Sequence, residues 1–390
     1  MSFHRLRFLS AGESHGPALT VVLEGLPARL PVSRERLQQQ MRRRQLGHGR
    51  GARMKIETDE VEITAGLRFG KTLGTPIGLT IRNRDYQNWE EIMNVWQGPA
   101  DNKRVVHRPR PGHADLAGGL KYGEKDLRNI LERASARESA ARTAAGTLCR
   151  FLLEQAGIEI ASHVVRVGSV ALHNRSVEWE KIQSVQDSDL LRCVDSGVEA
   201  QMIREIDAAQ QKKETLGGEF EVVAHNVPPG LGSHIQWDHK LDGRIAQAIL
   251  SVPAVKAVAI GDALTQASAP GSESHDEIYF EKGRGFYRKT NRAGGMEGGI
   301  TNGEDLRITG FMKPLSTLMK PLQSVDVVSK KAEEAVVERS DVCAVPAAGV
   351  VAEAMVAMVL ADALLEKFSS DTLEEFSAAL DHYRKLISSY

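Results

Sequence analysis

Ala348-Gly349-Val350-Val351-Ala352-Glu353-Ala354-Met355-Val356-Ala357-Met358-Val359-Leu360-Ala361-Asp362-Ala363-Leu364-Leu365 is apolar almost all the way round a helical cylinder. A helix at a protein surface keeps a polar face, so this composition predicts a helix over 348–368 that is buried at the centre of the fold. Glu353 and Asp362 interrupt the run, and the stretch reads as too short for a bilayer span. A shorter amphipathic helix is predicted over 371–387, with Asp371 and Glu374 as a capping-box-like start and Leu373, Phe376, Leu380 and Tyr383 on its apolar face.

Two more helices are legible upstream. Over 135–156 an alanine-rich run ends at Gly157, and Ala141, Ala145, Leu148 and Leu152 share one sector with Arg137. Over 33–46, Ser33 is placed as the N-cap, Val32 and Leu37 as a hydrophobic staple and Gly47 as the stop. Leu37 and Met41 set the buried stripe, and Arg44, seven residues after Leu37, returns to it. Arg42 and Arg43 fall elsewhere on the cylinder and read as solvent-facing charge. Strand-like runs lie between these helices without a regular βαβ alternation, which favours an α+β fold over a doubly wound sheet. No linker, repeat or low-complexity segment divides residues 1–390, so a single domain is expected.

Composition bounds the function. The chain has 390 residues, 42% of them hydrophobic and 26% charged, with a formal net charge of −1. No whole-protein field draws it to nucleic acid or membrane. The aromatic fraction is 5%, and no motif interleaves basic with aromatic residues, so an RNA-binding module is disfavoured. The N-terminus lacks the pattern of a secretory signal, which makes the cytoplasm the default location. Cys149, Cys193 and Cys343 are far apart, without the spacing of a zinc site or a disulfide framework, and no metal is expected.

Gly12-Glu13-Ser14-His15-Gly16 matches the Gly-x-Ser-x-Gly elbow of serine hydrolases. That elbow needs a helix after the serine. Here Pro17 and then the β-branched run Leu19-Thr20-Val21-Val22-Leu23 follow, so strand, turn, strand is the better reading. Ser14 becomes a turn or ligand-contact residue, and His15, between small neighbours, can approach a ligand closely. Gly70-Lys71-Thr72 fails as a phosphate loop because Ala65 stands where the first glycine belongs.

Charge is concentrated locally instead. Arg29, Arg34, Arg36, Arg42, Arg43, Arg44, Arg50, Arg53 and Lys55 face the single acid Glu35. An inward arginine needs an anionic partner, and Arg50 and Arg53 in the glycine-spaced loop Gly47–Arg53 can converge on one anion. In Lys103–Asp115 the prolines hold the chain extended and present Arg110 and His113 at fixed positions, whereas His107 reads as structural. Arg137 is a second inward arginine, and Ser135 offers either a cap or a ligand contact. Farther on come Gly294-Gly295-Met296-Glu297-Gly298-Gly299, Lys313-Pro314-Leu315-Ser316-Thr317 and Arg339-Ser340-Asp341. These residues describe a site for a small molecule with several negative groups and two histidines able to move protons.

The ordered set is similar to the chorismate synthase family along essentially the whole chain. It comprises Gly12–Gly16, the Arg44–Arg53 loop, Arg110-Pro111-Gly112-His113 and Ser135-Ala136-Arg137-Glu138-Ser139, then Gly271-Ser272-Glu273, Gly294–Gly299, Lys313–Thr317 and Arg339-Ser340-Asp341. The resemblance implies a β-α-β sandwich of antiparallel sheets around core helices, assembled as a homotetramer. It implies a lyase that converts 5-enolpyruvylshikimate 3-phosphate to chorismate by 1,4-elimination of phosphate, with reduced FMN and no net redox change. His15 would protonate the departing phosphate, His113 would protonate or stabilise reduced flavin, and Asp341 would relay a proton. Ser14, Arg44, Arg50, Arg53, Arg110 and Arg137 would bind substrate. FMN contacts carry over to Ser135, Ala136, Arg137, Pro253, Ala254, Gly298, Lys313, Pro314, Leu315, Ser316, Thr317 and Arg339. The family associates Arg44 and Arg50 with NADPH, while their inward, anion-seeking character fits substrate equally; both readings stand here. Pro253 departs from the asparagine common at that position, so only a backbone contact to flavin remains there.

Overall fold

In the computed structural model, residues 5–51, 56–98, 104–338 and 340–390 are described; Arg53 and Arg339 lie outside them. Strands β1 (Arg7–Ala11) and β2 (Ala18–Glu24) pair antiparallel, with Leu9 opposite Val22. Helix α1 (Arg34–Gln45) follows, then β3 (Val61–Ala65) and β4 (Ile77–Arg82). These strands form one antiparallel sheet in the order β1-β2-β4-β3. Alternation decides its buried face: Leu19, Val21 and Leu23 on β2 and Ile77, Leu79 and Ile81 on β4 turn inward, whereas Thr20 and Val22 turn outward.

The second half builds the opposite layer. After α2 (Ser139–Gln155) come β5 (Glu159–Val167), α3 (Ser196–Gln211), β6 (Gly218–His225), α4 (Leu241–Leu250), β7 (Val255–Ile260) and β8 (Leu306–Met312). Their sheet is antiparallel in the order β7-β8-β6-β5, extended by the short strand Val170–Ala171. Two helices close the chain, α5 (Val345–Lys367) and α6 (Leu373–Ser388). Helix α2 packs on the first sheet and against α5, and α5 packs on β5 and β6 of the second. The molecule is therefore a sandwich with helices between two antiparallel sheets, the α+β arrangement that the mixed pattern predicted.

At the α2–α5 crossing, Gly146 lies so close to Ala354 that an added β-carbon would overlap that residue's Cβ and carbonyl oxygen. Overpacking a closed helix contact costs about 1–3 kcal/mol. Gly146→Ala should lower the unfolding free energy by that amount in urea titration, and an unchanged midpoint would show that the two helices can separate freely.

Several boundaries differ from the sequence reading. Helix α5 spans 23 residues and is long and apolar enough to cross a membrane by composition, yet it is buried in the protein. Helix α2 begins at Ser139, because Ser135 caps a separate 3-10 turn, Ala136–Glu138, by accepting from Arg137 N. The capping box of α6 is one residue later than predicted: Thr372 Oγ1 accepts from Glu375 N at 3.3 Å and Thr372 N donates to Glu375 at 3.0 Å. Asp371 instead precedes the cap.

The two acids inside α5 anchor it. Glu353 accepts hydrogen bonds from Arg43 at 2.7 and 3.0 Å, Arg150 at 2.6 Å, Arg192 at 3.4 Å and Ser162 at 2.6 Å. Arg43 is thus buried and ion-paired, contrary to its reading as a solvent-facing charge; Arg42 is exposed as predicted. Asp362 receives the backbone N–H groups of Arg5 and Leu6, both at 2.8 Å, and pairs with Arg244.

Burial alone would raise the Glu353 carboxyl, but Arg43, Arg150 and Arg192 hold it well below the ordinary carboxylate range. A depressed folded-state value contributes stability above the unfolded pKa, about 4.3 for Glu, and loses it as pH falls through the folded value. Unfolding free energy should therefore decline progressively below about pH 4.5. A urea midpoint that stayed constant into that range would contradict the cluster's role.

Candidate functional site

A cavity of about 1100 Å³ opens where the loops of both sheets meet the N-terminal turn of α5. The β1–β2 turn supplies Ser14 and His15, the last turn of α1 supplies Arg44, the loop after it Arg50 and Gly51, and the turn after β4 supplies Asp85, Asn88 and Trp89. Opposite them stand Arg110, Gly112 and His113, the capped turn at Ser135–Arg137, the residues before β7 and those after β8. A smaller cavity of about 360 Å³ lies beside Arg36, Arg43, Arg150 and Arg192. Its guanidiniums are engaged by Glu353, Asp187 and Glu154, and neither candidate histidine reaches it.

Strand, turn, strand is the observed context of Gly12–Gly16, so Ser14 does not stand on a strand-to-helix elbow. Its hydroxyl donates to Ser135 Oγ at 3.0 Å and its N–H to Glu132 O at 3.0 Å. The Asn83 side-chain amide steadies the same turn by donating to Gly16 O at 2.7 Å and Glu13 O at 3.1 Å. His15 is held on both sides. Its Nδ1 lies 2.9 Å from Glu132 Oε1, and its ring stacks on Trp89 with centroids 4.0 Å apart.

His113 has a parallel arrangement, with Nδ1 2.6 Å from Asp115 Oδ1. Asp115 also receives Arg110 Nε at 2.8 Å and Nη2 at 3.1 Å. Burial would raise the Asp115 carboxyl, yet the hydrogen bonds from His113 and Arg110 and their charges hold it well below the usual range. Arg110 Nη1 reaches Thr317 Oγ1 at 2.9 Å, while Ser316 Oγ and Lys313 Nζ donate to Gly112 O, at 3.1 Å for the serine. These bonds staple the His113 segment to the strand end that follows β8.

The inward arginines point into the cavity as predicted, but each has a protein carboxylate behind it. Arg44 Nε donates to Asp59 at 3.0 Å, and Arg137 pairs with the same Asp59, lies 3.7 Å from Glu57 and donates through Nε to Asn83 at 2.8 Å. Arg50 lies 3.2 Å from Asp341, which also accepts from Gly51 N at 2.6 Å. Buried guanidiniums require such counter-charges. Their anion-seeking character is therefore met first inside the protein.

Of the other sequence-derived residues, Ser135, Ala136, Pro253, Ala254, Lys313, Leu315, Ser316 and Thr317 line the cavity. Ala254 holds a left-handed backbone with φ 68°, and its carbonyl accepts from Lys313 N at 3.0 Å. Pro314 is exposed between lining residues, and Gly298 sits in the tight turn joining Met296–Glu297 to Ile300–Thr301, outside the lining. Sequence reading missed Glu132, Asp115, Asp59 and Trp89. Only Asp115, two residues after His113, had a local signal.

The sequence profile of the chorismate synthase family matches residues 6–365. A chorismate synthase of Sulfurihydrogenibium sp. (strain YO3AOP1) is 52% identical, covering 99% of this chain and 100% of its own. That of Moorella thermoacetica is 55% identical, covering 98% and 99%. A crystal structure of chorismate synthase superposes with a TM-score of 0.81 at 43% identity and full coverage of both chains. With profile, relatives and fold in agreement over its length, this chain belongs to the chorismate synthase family.

Proposed function

We propose that the large cavity carries out the elimination of phosphate from 5-enolpyruvylshikimate 3-phosphate to give chorismate, the last common step of the shikimate pathway, with reduced FMN as cofactor. The observation that carries this reading is the meeting, in one cavity, of two carboxylate-backed histidines with Arg44, Arg50, Arg110 and Arg137. The substrate has one phosphate and two carboxylates, and such anions match arginine forks.

The residues present fit a flavin. Val252, Ala254, Met312, Leu315, Ala344 and Val351 give the cavity an apolar wall, and Ser135, Lys313, Ser316 and Thr317 give it donors. Reduced FMN would supply an electron-rich ring that assists loss of phosphate and takes up the ring proton. The chain's own groups do the rest. Arginines position the anions before reaction, His15 delivers a proton to the departing phosphate, and His113 serves the flavin, both suited to imidazole near neutral pH. Asp341, held by Gly51 N–H and Arg50, would pass on a proton. The same reading includes a single-domain, cytoplasmic subunit of a homotetramer that requires neither nucleic acid nor membrane. NADPH would be the source of reducing equivalents if the protein reduces its own flavin.

Mixed anaerobically with chemically reduced FMN and the enolpyruvyl phosphate, the protein should release phosphate and chorismate in equal amounts. Folded, flavin-loaded protein that made neither would overturn the proposal. Replacing the reduced flavin by oxidised FMN plus NADPH separates a self-reducing enzyme from one that needs an outside reductant. Arg44→Ala should raise the KM for the enolpyruvyl phosphate about tenfold or more, as expected for loss of a charged contact worth about 1.5–3 kcal/mol. A change confined to NADPH dependence would assign that arginine to the nicotinamide cofactor instead.

A further inference from the structure

We infer that Glu132 is the positioning residue of His15, acting with Trp89 to fix which imidazole nitrogen meets the substrate. The inference rests on the reading of His15 as proton donor to the departing phosphate. Glu132 is about 2% exposed and follows the short helix Arg128–Leu131. It grips the Ser14–His15 turn at three atoms. Its Oε2 accepts the His15 backbone N–H at 2.8 Å, its carboxylate bonds His15 Nδ1, and its own carbonyl accepts Ser14 N–H. No other carboxylate in the cavity holds both the backbone and the ring of a histidine among the described residues.

An ionised carboxylate can only accept hydrogen bonds, so the Nδ1 facing it must carry the hydrogen. Burial would raise the Glu132 carboxyl, but its bonds with His15 and the charge of Arg128 hold it below the usual range. It is therefore ionised at neutral pH. Neutral His15 is then the Nδ1–H tautomer, and Nε2 is the atom that exchanges a proton with the ligand. When the ring is doubly protonated, Nε2–H passes its proton to the phosphate oxygen as the C–O bond breaks. The product is neutral imidazole, still bonded to Glu132 through Nδ1–H. Trp89, stacked on the ring with centroids 4.0 Å apart, keeps it from turning away.

Charged groups also flank His15. Glu13 belongs to its own turn, Asp85 lies across the cavity wall, and Arg128 bonds Glu132 at 3.1 Å and Glu338 at 3.1 Å. Arg128 and Arg104 also lie over the Trp89 ring, at 5.0 and 4.0 Å from its centroid.

The test combines nitrogen-15 histidine NMR on the complete protein with the kcat and KM of anaerobic phosphate release. In the wild type, the His15 signal, assigned by its loss in His15→Asn, should show the Nδ1–H tautomer when neutral; an Nε2–H tautomer would overturn the inference. Glu132→Gln keeps an acceptor but removes the charge. Its amide can also turn an N–H toward Nδ1 and so release the tautomer, and kcat should fall about tenfold or more with KM changed less than about threefold. Glu132→Asp should recover part of kcat. An unchanged kcat in a folded Glu132→Gln protein would contradict the role, and if that variant fails to fold, the wild-type tautomer decides. Absence of any phosphate release from wild type would instead sink the elimination reading while leaving the tautomer result intact.

Discussion

Glu353→Ala should lower the unfolding free energy by about 3–5 kcal/mol, the usual penalty for stripping one partner from a buried ion pair. The reason lies in the geometry at the middle of α5. One carboxylate there serves Arg43 from α1, Arg150 from α2 and Arg192 from the segment before α3, so its removal leaves Arg43 and Arg192 sharing Asp187 and takes from Arg150 its ion-pair partner. Domains are stable by only about 5–15 kcal/mol, so a loss of this size should be plain in urea or thermal unfolding. Glu353→Gln, which keeps the acceptor oxygen and the side-chain volume, should lose less. Equal stability of wild type and Glu353→Ala would mean that apolar packing alone fixes the central helix.

His15→Ala should reduce kcat about 10²- to 10⁴-fold, the range that a positioned proton donor contributes. Flavin binding should persist, because Lys313, Ser316 and Thr317 line another part of the same cavity and are stapled to the Arg110–His113 segment rather than to the His15 turn. Anaerobic phosphate release and flavin titration on the same preparation distinguish the two effects. A variant that lost flavin and activity together would point to a structural role for His15.

The fold was legible where one segment's composition sufficed. An all-round apolar stretch reads as a helix buried in a protein core or in a membrane, and α5 proved to be buried in the core. The turn at Gly12–Gly16 was legible from its flanks, since Pro17 and a β-branched run cannot continue as a helix. The inward direction of Arg44 followed from helical periodicity; Arg137 is inward too, but from the 3-10 turn ahead of α2, where the periodicity of that helix does not apply. Arg43 did not, because its partner Glu353 comes from a remote helix and periodicity reports position only relative to a helix's own stripe. The carboxylates behind the site cations were hidden for the same reason. Asp59 sits on an irregular segment with φ 47°, and Glu132 follows a four-residue helix; neither has a periodic signal. Gly298 was placed by motif order, which says nothing about whether a turn reaches the cavity within one subunit.

The central claim is that the cavity holding His15 is where phosphate leaves the substrate. Its most direct test is single-turnover phosphate release, measured anaerobically with chemically reduced FMN for wild type and for His15→Ala. Wild type should release one phosphate for each chorismate formed, and the variant, still carrying flavin, should do so at least about 100-fold more slowly. Undiminished release by folded His15→Ala would place the chemistry elsewhere and contradict the account.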